Sequence, residues 1–347
     1  MKIAYLIPSL VNKGPIIVVQ SLANALFQQG HDVDVYYFDD IFGATFNCPT
    51  IKLNPKSLPD FDQYNIVHSH MYRPDKLLSE IKKGFTHAKA VSTIHAHIEK
   101  DLAYSYNKLI SAFFSPLWIY RLRKMHMIVT ISEFLEKTYQ NKFSQISTVY
   151  NGIDIDVNIE CANKQIVAQI QELKKTYKII GSYAYITPRK GLHQVINILP
   201  SKKNWAMVII GEGKEKDNLK QLAQTNNVAD RVLFLPYQKE PYNYLPLFDL
   251  YAMTSYSEGF GLALIEAAQA KIPAVCSDIP VFRELFNHKE VVFFTLDNKT
   301  ALSDAIDIAY HNGNISVEKA CKRVTTNYTV CAMVNRYLSI YQKMMIG

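Results

Sequence analysis

Short, continuously apolar runs alternate along the chain with longer segments whose apolar residues return every three or four positions. The first kind of run fits a strand buried on both faces, and the second fits an amphipathic helix, so their alternation predicts βαβ units and a parallel sheet. KIAYLIPS (2–9) is the first predicted strand, and IIVVQSLANALFQQG (16–30) is a helix that Gly30 closes at its C-terminal end. DVDVYYF (32–38), YNIVHSH (64–70), AVSTIHAH (90–97) and MIVTIS (127–132) continue the strand series. Several of these runs end in His, Asn or Ser, at the strand ends where open α/β sheets place their ligands.

The series restarts further on. In STVYNGIDID (147–156), Asn151-Gly152 is a turn signal, and the polar stretch from Asp154 to Lys178 divides two similar halves. YKIIGSYAY, WAMVIIGEG, RVLFLPY, LYAMTSY, IPAVCSD and VVFFTL then follow with helices between them. The expected architecture is two Rossmann-like domains, 1–153 and 154–329, facing each other across a cleft. A last amphipathic helix, 330–347, is expected to return to the first domain.

Composition narrows the class. The length of 347 residues suffices for two cores, and 48% hydrophobic with 20% charged residues is ordinary for a soluble globular enzyme. Five scattered cysteines without a CxxC pair point away from a disulfide framework and from a zinc ribbon, which suggests a reducing cytoplasm. No run reaches the ~18 apolar residues of a membrane span, so any work at a membrane is expected from its surface. The net charge of +7 is uneven: ten bases face four acids between Arg73 and Lys124, a local excess of +6. That excess favours phosphate, a lipid headgroup or nucleic acid as partner.

The most informative stretch is SEGFGLALIEAAQAKIPAVCSD (257–278). LYAMTS before it reads as a buried strand and LALIEAAQA within it as a helix, which leaves Ser257 to Gly261 as a loop. Free N–H groups and partial positive charge at the start of that helix suit a phosphate, and Gly259 and Gly261 let the backbone approach it. Glu258 would reach sugar hydroxyls on one side of a diphosphate, and Glu266, inside the helix, a ribose on the other. The bland alternative is an exposed loop acid and a second acid on a solvent face. Leu262, Ile265, Ala267 and Ala268 make apolar company for an idle Glu266.

With its acids at 258 and 266, this stretch resembles the signature of retaining glycosyltransferases of family 4, which have the GT-B fold. Asn12 to Pro15 resembles the family's glycine loop, STIHAH its strand-end histidine, and VYNGID its passage into the second domain. TPRKG resembles its diphosphate clamp, while VIIGEG and DRVLFLPY resemble the region around the nucleotide base. The resemblance implies that Lys190 pairs with the donor diphosphate without a metal, and that Glu266 binds the ribose. It implies that Glu258, with the amides of Gly259, Phe260 and Gly261, holds the transferred sugar. His95 would lie beside the sugar and Gly14 would close over the diphosphate. Leu262, opening the helix, and Tyr237, closing DRVLFLPY, join the donor-binding set. The family's arginine five residues before the lysine is missing: Tyr185 stands there, and Arg189 is the nearest replacement cation.

The implied activity is transfer of a hexose or N-acetylhexosamine from a nucleotide-diphosphate sugar, UDP before GDP, to a lipid-linked or surface-polysaccharide acceptor. No cofactor, metal or nucleic acid is expected. The expected location is cytoplasmic, with an anionic membrane surface on the inner face of the cell membrane as a further partner. A sugar-nucleotide 2-epimerase of the same fold and a non-catalytic nucleotide-sugar-binding subunit are the alternatives. Two other features stay open. His68, His70, His95 and His97 form two His-x-His pairs that would suit zinc if they converged, or else one sugar-contacting and three packing histidines. NKLISAFFSPLWIYRLRKM (107–125) has helical apolar spacing, with Pro116 expected to kink or interrupt it. Its aromatics, flanked by Lys108, Arg121, Arg123 and Lys124, fit either core or a membrane interface.

Overall fold

The computed structural model describes residues 1–311 and 316–346; residues 312–315, inside the second expected domain, and Gly347, the end of the expected last helix, lie outside the described residues. The chain forms two compact units, one built from residues Met1–Ile153 and Asn327–Gly347 and the other from Asp154–Thr326.

The first unit holds a parallel seven-stranded sheet: β1 (Lys2–Leu10), β2 (Asp32–Phe42), β3 (Thr50–Lys52), β4 (Ile66–His70), β5 (Lys89–Ile94), β6 (Met127–Thr130) and β7 (Ile146–Thr148). The spatial order is β3-β2-β1-β4-β5-β6-β7, so the winding reverses between β1 and β4. Ile3 to Ile7 of β1 are fully buried, as a central parallel strand covered on both faces requires. The helix Gly14–Gln28 follows, starting with proline in its first turn and ending before Gly30, whose φ of +82° supplies the left-handed exit.

Helix Val330–Ile346 also belongs to this unit, and buries Met333, Val334, Tyr337 and Tyr341. The Tyr341 hydroxyl meets His68 Nδ1 at 2.6 Å and the Tyr5 hydroxyl at 3.2 Å, while Tyr337 meets Thr93 at 3.0 Å. The last helix is thereby tied to β1, β4 and β5 by a buried line of hydroxyls.

The segment 107–125 forms one helix, Lys108–Leu122, which Asn107 caps by accepting from the Ile110 N–H at 2.8 Å. Pro116 does not interrupt it: the carbonyl deprived of a donor is that of Ala112, an exposed residue where water can take the donor's place. The buried face is not the aromatic one expected of a core stripe. Ser111, Ser115, Ile119 and Leu122 turn inward, whereas Leu109 and Phe113 are 84% and 73% exposed, with Phe114 and Tyr120 also exposed. The small serines let this helix lie close to Ile98–Ser105: Ser111 donates to the Glu99 carbonyl at 2.6 Å.

The second unit repeats the pattern with six parallel strands: β8 (Lys178–Tyr183), β9 (Trp205–Ile210), β10 (Val232–Leu235), β11 (Leu250–Met253), β12 (Ala274–Ser277) and β13 (Val292–Phe294). Their order, β10-β9-β8-β11-β12-β13, is the doubly wound dinucleotide-fold order, with its switch point between β8 and β11. All six residues of β9 are buried, and Met207 and Ile209 pack with Ile180, Leu192, Leu250 and Val275 in one core. The polar stretch between the halves is not plain connection, for it contains the helix Lys164–Lys174, which buries Ile166 and Ile170.

Candidate active site

The loops leaving β8 and β11 flank the switch point, where open α/β sheets leave a crevice beyond their strand ends. The β8 loop ends in a short turn, Pro188–Lys190, followed by Gly191 at φ +60°. A Cβ on Gly191 would lie 2.2 Å from the Thr254 carbonyl oxygen, so only glycine lets the two loops touch here. Three further bonds join them. Thr254 Oγ1 donates to the Lys190 carbonyl at 2.9 Å, the Tyr256 N–H to the Arg189 carbonyl at 2.8 Å, and Gln194 Nε2 to the Thr254 carbonyl at 3.0 Å.

This close approach brings the charges together. Lys190 Nζ donates to Glu258 Oε1 at 2.6 Å and Arg189 Nη1 to Glu258 Oε2 at 3.2 Å; Arg189 also donates to the Ser257 carbonyl at 2.7 Å. Ser255 Oγ adds a third bond to Glu258, at 2.7 Å. Arg189 thus points to the same carboxylate as its neighbour, while Tyr185 is exposed. Burial alone would raise the Glu258 pKa. The Lys190 and Arg189 charges and the hydrogen bonds from Lys190 and Ser255 outweigh it and hold the carboxyl well below the ordinary carboxylate value.

Past Glu258 the chain turns through buried Gly259, Phe260 and Gly261 into the helix Leu262–Gln269. Gly261 has φ +101°, and a Cβ there would meet the Phe282 ring at 2.7 Å. No side chain caps this helix, and although the Leu264 N–H donates to the Gly261 carbonyl at 3.0 Å, the N–H groups before it keep their capacity to bind an anion. Glu266 is buried on it and accepts a short hydrogen bond from the Tyr183 hydroxyl at the end of β8. Burial pushes the Glu266 pKa up to about 7, against the opposing hydrogen bond. Two acids eight positions apart therefore have opposite electrostatics: one is a fixed anion between cations, the other a carboxyl that gains or loses its proton near neutrality.

The remaining sequence-predicted residues are elsewhere. Tyr237 follows the edge strand β10 and is 53% exposed. Gly14 and His95 belong to the first unit, at the start of helix Gly14–Gln28 and just after β5. The four histidines do not act as one set. His68, His70 and His95 adjoin one another, but both nitrogens of His68 face hydroxyls, and His97 packs against Phe134 and Tyr139. Among the described residues no group of three or more His, Cys, Asp or Glu is placed to hold a metal ion. Sequence reasoning missed Tyr183 and Ser255, the uncharged partners of the two acids. Their only signal was their position at the ends of the two predicted strands that flank the switch point.

Residues 14–157 match the family described as Glycosyltransferase Family 4, and residues 163–328 match Glycosyl transferases group 1. The chain belongs to glycosyltransferase family 4, and it is a glycosyltransferase. It is 29% identical, over 99% of both chains, to the O-antigen biosynthesis glycosyltransferase WclY of Escherichia coli. Its fold is that of sucrose-phosphate synthase from Thermosynechococcus elongatus, with a TM-score of 0.80 at 17% identity over 100% of both chains. Anabaena HepE, solved with UDP and glucose, matches with a TM-score of 0.80 at 16% identity, over 99% of this chain and 100% of that one. These are structures of the GT-B class.

Proposed function

We propose that the chain transfers a hexose or N-acetylhexosamine, with retention of anomeric configuration, from a nucleotide-diphosphate sugar to a glycan acceptor of O-antigen type. The observation that carries this reading is the convergence of Lys190 and Arg189 on Glu258, beside an uncapped helix N-terminus at the switch point. Two cations and a row of N–H groups suit a diphosphate leaving group without a metal ion. In this reading the diphosphate takes over Lys190 and Arg189, and Glu258 turns to the hydroxyls of the transferred sugar. Gly259, Phe260, Gly261 and Leu262 provide the amide surface beneath it. Glu266, once ionised, accepts the ribose hydroxyls in place of the Tyr183 hydroxyl. Gly14, His95 and Tyr237 complete the donor set, at the diphosphate, the sugar and the base.

In the transfer, the bond between the sugar's anomeric carbon and the diphosphate oxygen breaks. A bond to an acceptor hydroxyl forms on the same face, and the departing phosphate oxygen takes the hydroxyl's proton. Lys190 and Arg189 stabilise the charge that develops on that phosphate, so no carboxylate base is needed. UDP is the favoured nucleotide, since HepE was solved with UDP and glucose, and an O-antigen-type acceptor is favoured because WclY is named for O-antigen biosynthesis.

The acceptor is placed on a lipid carrier or lipid core. No helix among the described residues is long and apolar enough to cross a membrane, so the contact proposed is peripheral. It is supported by exposed Leu109, Phe113, Phe114 and Tyr120 with Lys108, Arg123 and Lys124 on or beside one helix, an arrangement suited to the boundary of an anionic leaflet.

The test is incubation with UDP- and GDP-sugars, with and without a lipid-linked glycan primer, followed by mass spectrometry and NMR of the new anomeric centre. A retained linkage on the primer is expected. Conversion of free sugar nucleotide without primer would favour the 2-epimerase, and binding without turnover the non-catalytic subunit.

A further inference from the structure

His70, at the end of β4, has no role so far, yet it faces His95, just after β5. His70 Nδ1 and His95 Nε2 are 2.8 Å apart, and the His70 ring stacks on His68 with centroids 4.2 Å apart. Burial lowers the pKa of His68 and His70 well below the ordinary histidine value and that of His95 to about 4, so all three rings are neutral at neutral pH. Two neutral imidazoles that share a hydrogen bond have one proton between the facing nitrogens, which leaves two arrangements.

If His95 Nε2 carried it, His70 would hold its own proton on Nε2. That nitrogen is buried and without a partner. The nearby hydroxyls are already engaged: Tyr341 and Thr93 face the two nitrogens of His68, and Tyr5 and Tyr337 face those hydroxyls in turn. An N–H buried with no acceptor is among the rarest states in folded proteins, whereas an unmet lone pair is better tolerated. The alternative puts the proton on His70 Nδ1, pointing at His95 Nε2, and leaves only a lone pair unmet. His95 must then carry its own proton on Nδ1. That nitrogen has no hydrogen-bond partner among the described residues, and the His95 side chain is partly exposed.

We infer that His70 is a positioning residue that locks His95 in its Nδ1-protonated tautomer, so that His95 meets its ligand as a neutral N–H donor and not as a base. The ligand chemistry that fits is an uncharged oxygen acceptor, such as a sugar hydroxyl or ring oxygen. This rests on the proposed function only in taking that oxygen to be the donor sugar's.

The decisive measurement is a long-range proton–nitrogen correlation spectrum of the full chain with 15N-labelled histidine at neutral pH, the His95 signals being assigned with His95→Gln. The expected result is proton attachment at His95 Nδ1 in the wild type and in His70→Asn, whose side-chain amide can donate where Nδ1–H did. His70→Leu should lose the preference and lower kcat/KM for the nucleotide sugar by about tenfold, the worth of one neutral hydrogen bond. His70→Asn should restore most of that loss. Affinity for the nucleoside diphosphate without sugar should not change in either variant, which separates the effect from general damage. A proton on His95 Nε2 in the wild type would overturn the inference, as would an unchanged tautomer and unchanged transfer in His70→Leu. The wild-type spectrum decides the matter even if a variant fails to fold. It also decides it if no sugar is transferred, in which case the proposed function fails while the tautomer stands or falls by itself.

Discussion

Glu258→Ala should separate stability from nucleotide affinity in opposite directions. Glu258, Lys190 and Arg189 have side chains only 9%, 17% and 22% exposed, so bulk water screens their pairing little. Removing one member of a buried ion pair commonly costs about 3–5 kcal/mol, because the partner charge stays desolvated. Partial exposure of both cations places the loss near the lower figure, about 3 kcal/mol, which corresponds to a fall of roughly 6–12 °C in the Tm of the unit Asp154–Thr326, given its size. The same vacancy should favour a diphosphate, since it no longer competes with Glu258 for Lys190 and Arg189. UDP should therefore raise the variant's Tm by more than it raises the wild type's, while turnover of UDP-sugar falls because the sugar's own contact is gone. Differential scanning fluorimetry across a UDP titration, run beside the transfer assay, reads all three quantities. A variant as stable as the wild type would refute the energetic weight of the triad. A variant stabilised less by UDP would refute the assignment of Lys190 and Arg189 to the diphosphate.

The folded-state pKa of Glu266, about 7, lies above its ordinary 4.5, so the contribution of this carboxyl to stability is full below pH 4.5 and is lost as pH rises through 7. Glu266→Gln mimics the protonated form and should equal the wild type near pH 4 and exceed it by up to ~3 kcal/mol at pH 8 in urea titrations. UDP affinity should rise through pH 7 in the wild type and stay flat in the variant. Gly191→Ala combines a left-handed φ with a clash on the Thr254 carbonyl; it should cost more than the ~1–2 kcal/mol of the φ alone and abolish transfer, read by thermal shift and assay. Transfer should survive EDTA, because the charges assigned to the diphosphate are protein cations; loss with recovery on added magnesium or zinc would return metal to the mechanism. Phe113→Ser, or reversal of Lys108, Arg123 and Lys124, should release the chain from anionic vesicles in a sedimentation assay at low salt, and high salt should do the same to the wild type.

Most of the fold was legible because a parallel sheet covered on both faces demands unbroken apolar runs, and WAMVII or KIAYLI offers no other reading. What escaped lacked that signal. Strand β3 is three exposed residues and β7 three half-buried ones, held by pairing with β2 and β6 rather than by hydrophobicity. The segment 107–125 has a helical period that left both orientations open; serines at the close-packing positions face inward and its aromatics outward, because small residues are needed where helices must approach. The two acids stood out as acids in apolar company. Tyr183 and Ser255 did not, since a tyrosine or serine at a strand end is unremarkable until Glu266, eighty-three positions from Tyr183, is folded against it.

The order of synthesis is at odds with the order of the units. Residues Asp154–Thr326 form a contiguous stretch that can begin to close as soon as it leaves the ribosome, whereas the first unit lacks Val330–Ile346 until that later helix has been made. Until then β4 has no Tyr341 against His68, and β5 has no Tyr337 against Thr93. The half made first is thus the half completed last. A nascent chain stalled before residue 330 should hold a protease-resistant second unit beside a loosely closed first one, the reverse of ordinary N-to-C folding. Cleavage of the finished protein just before Val330 should loosen the unit that carries His95 and leave the one that carries Glu258 folded.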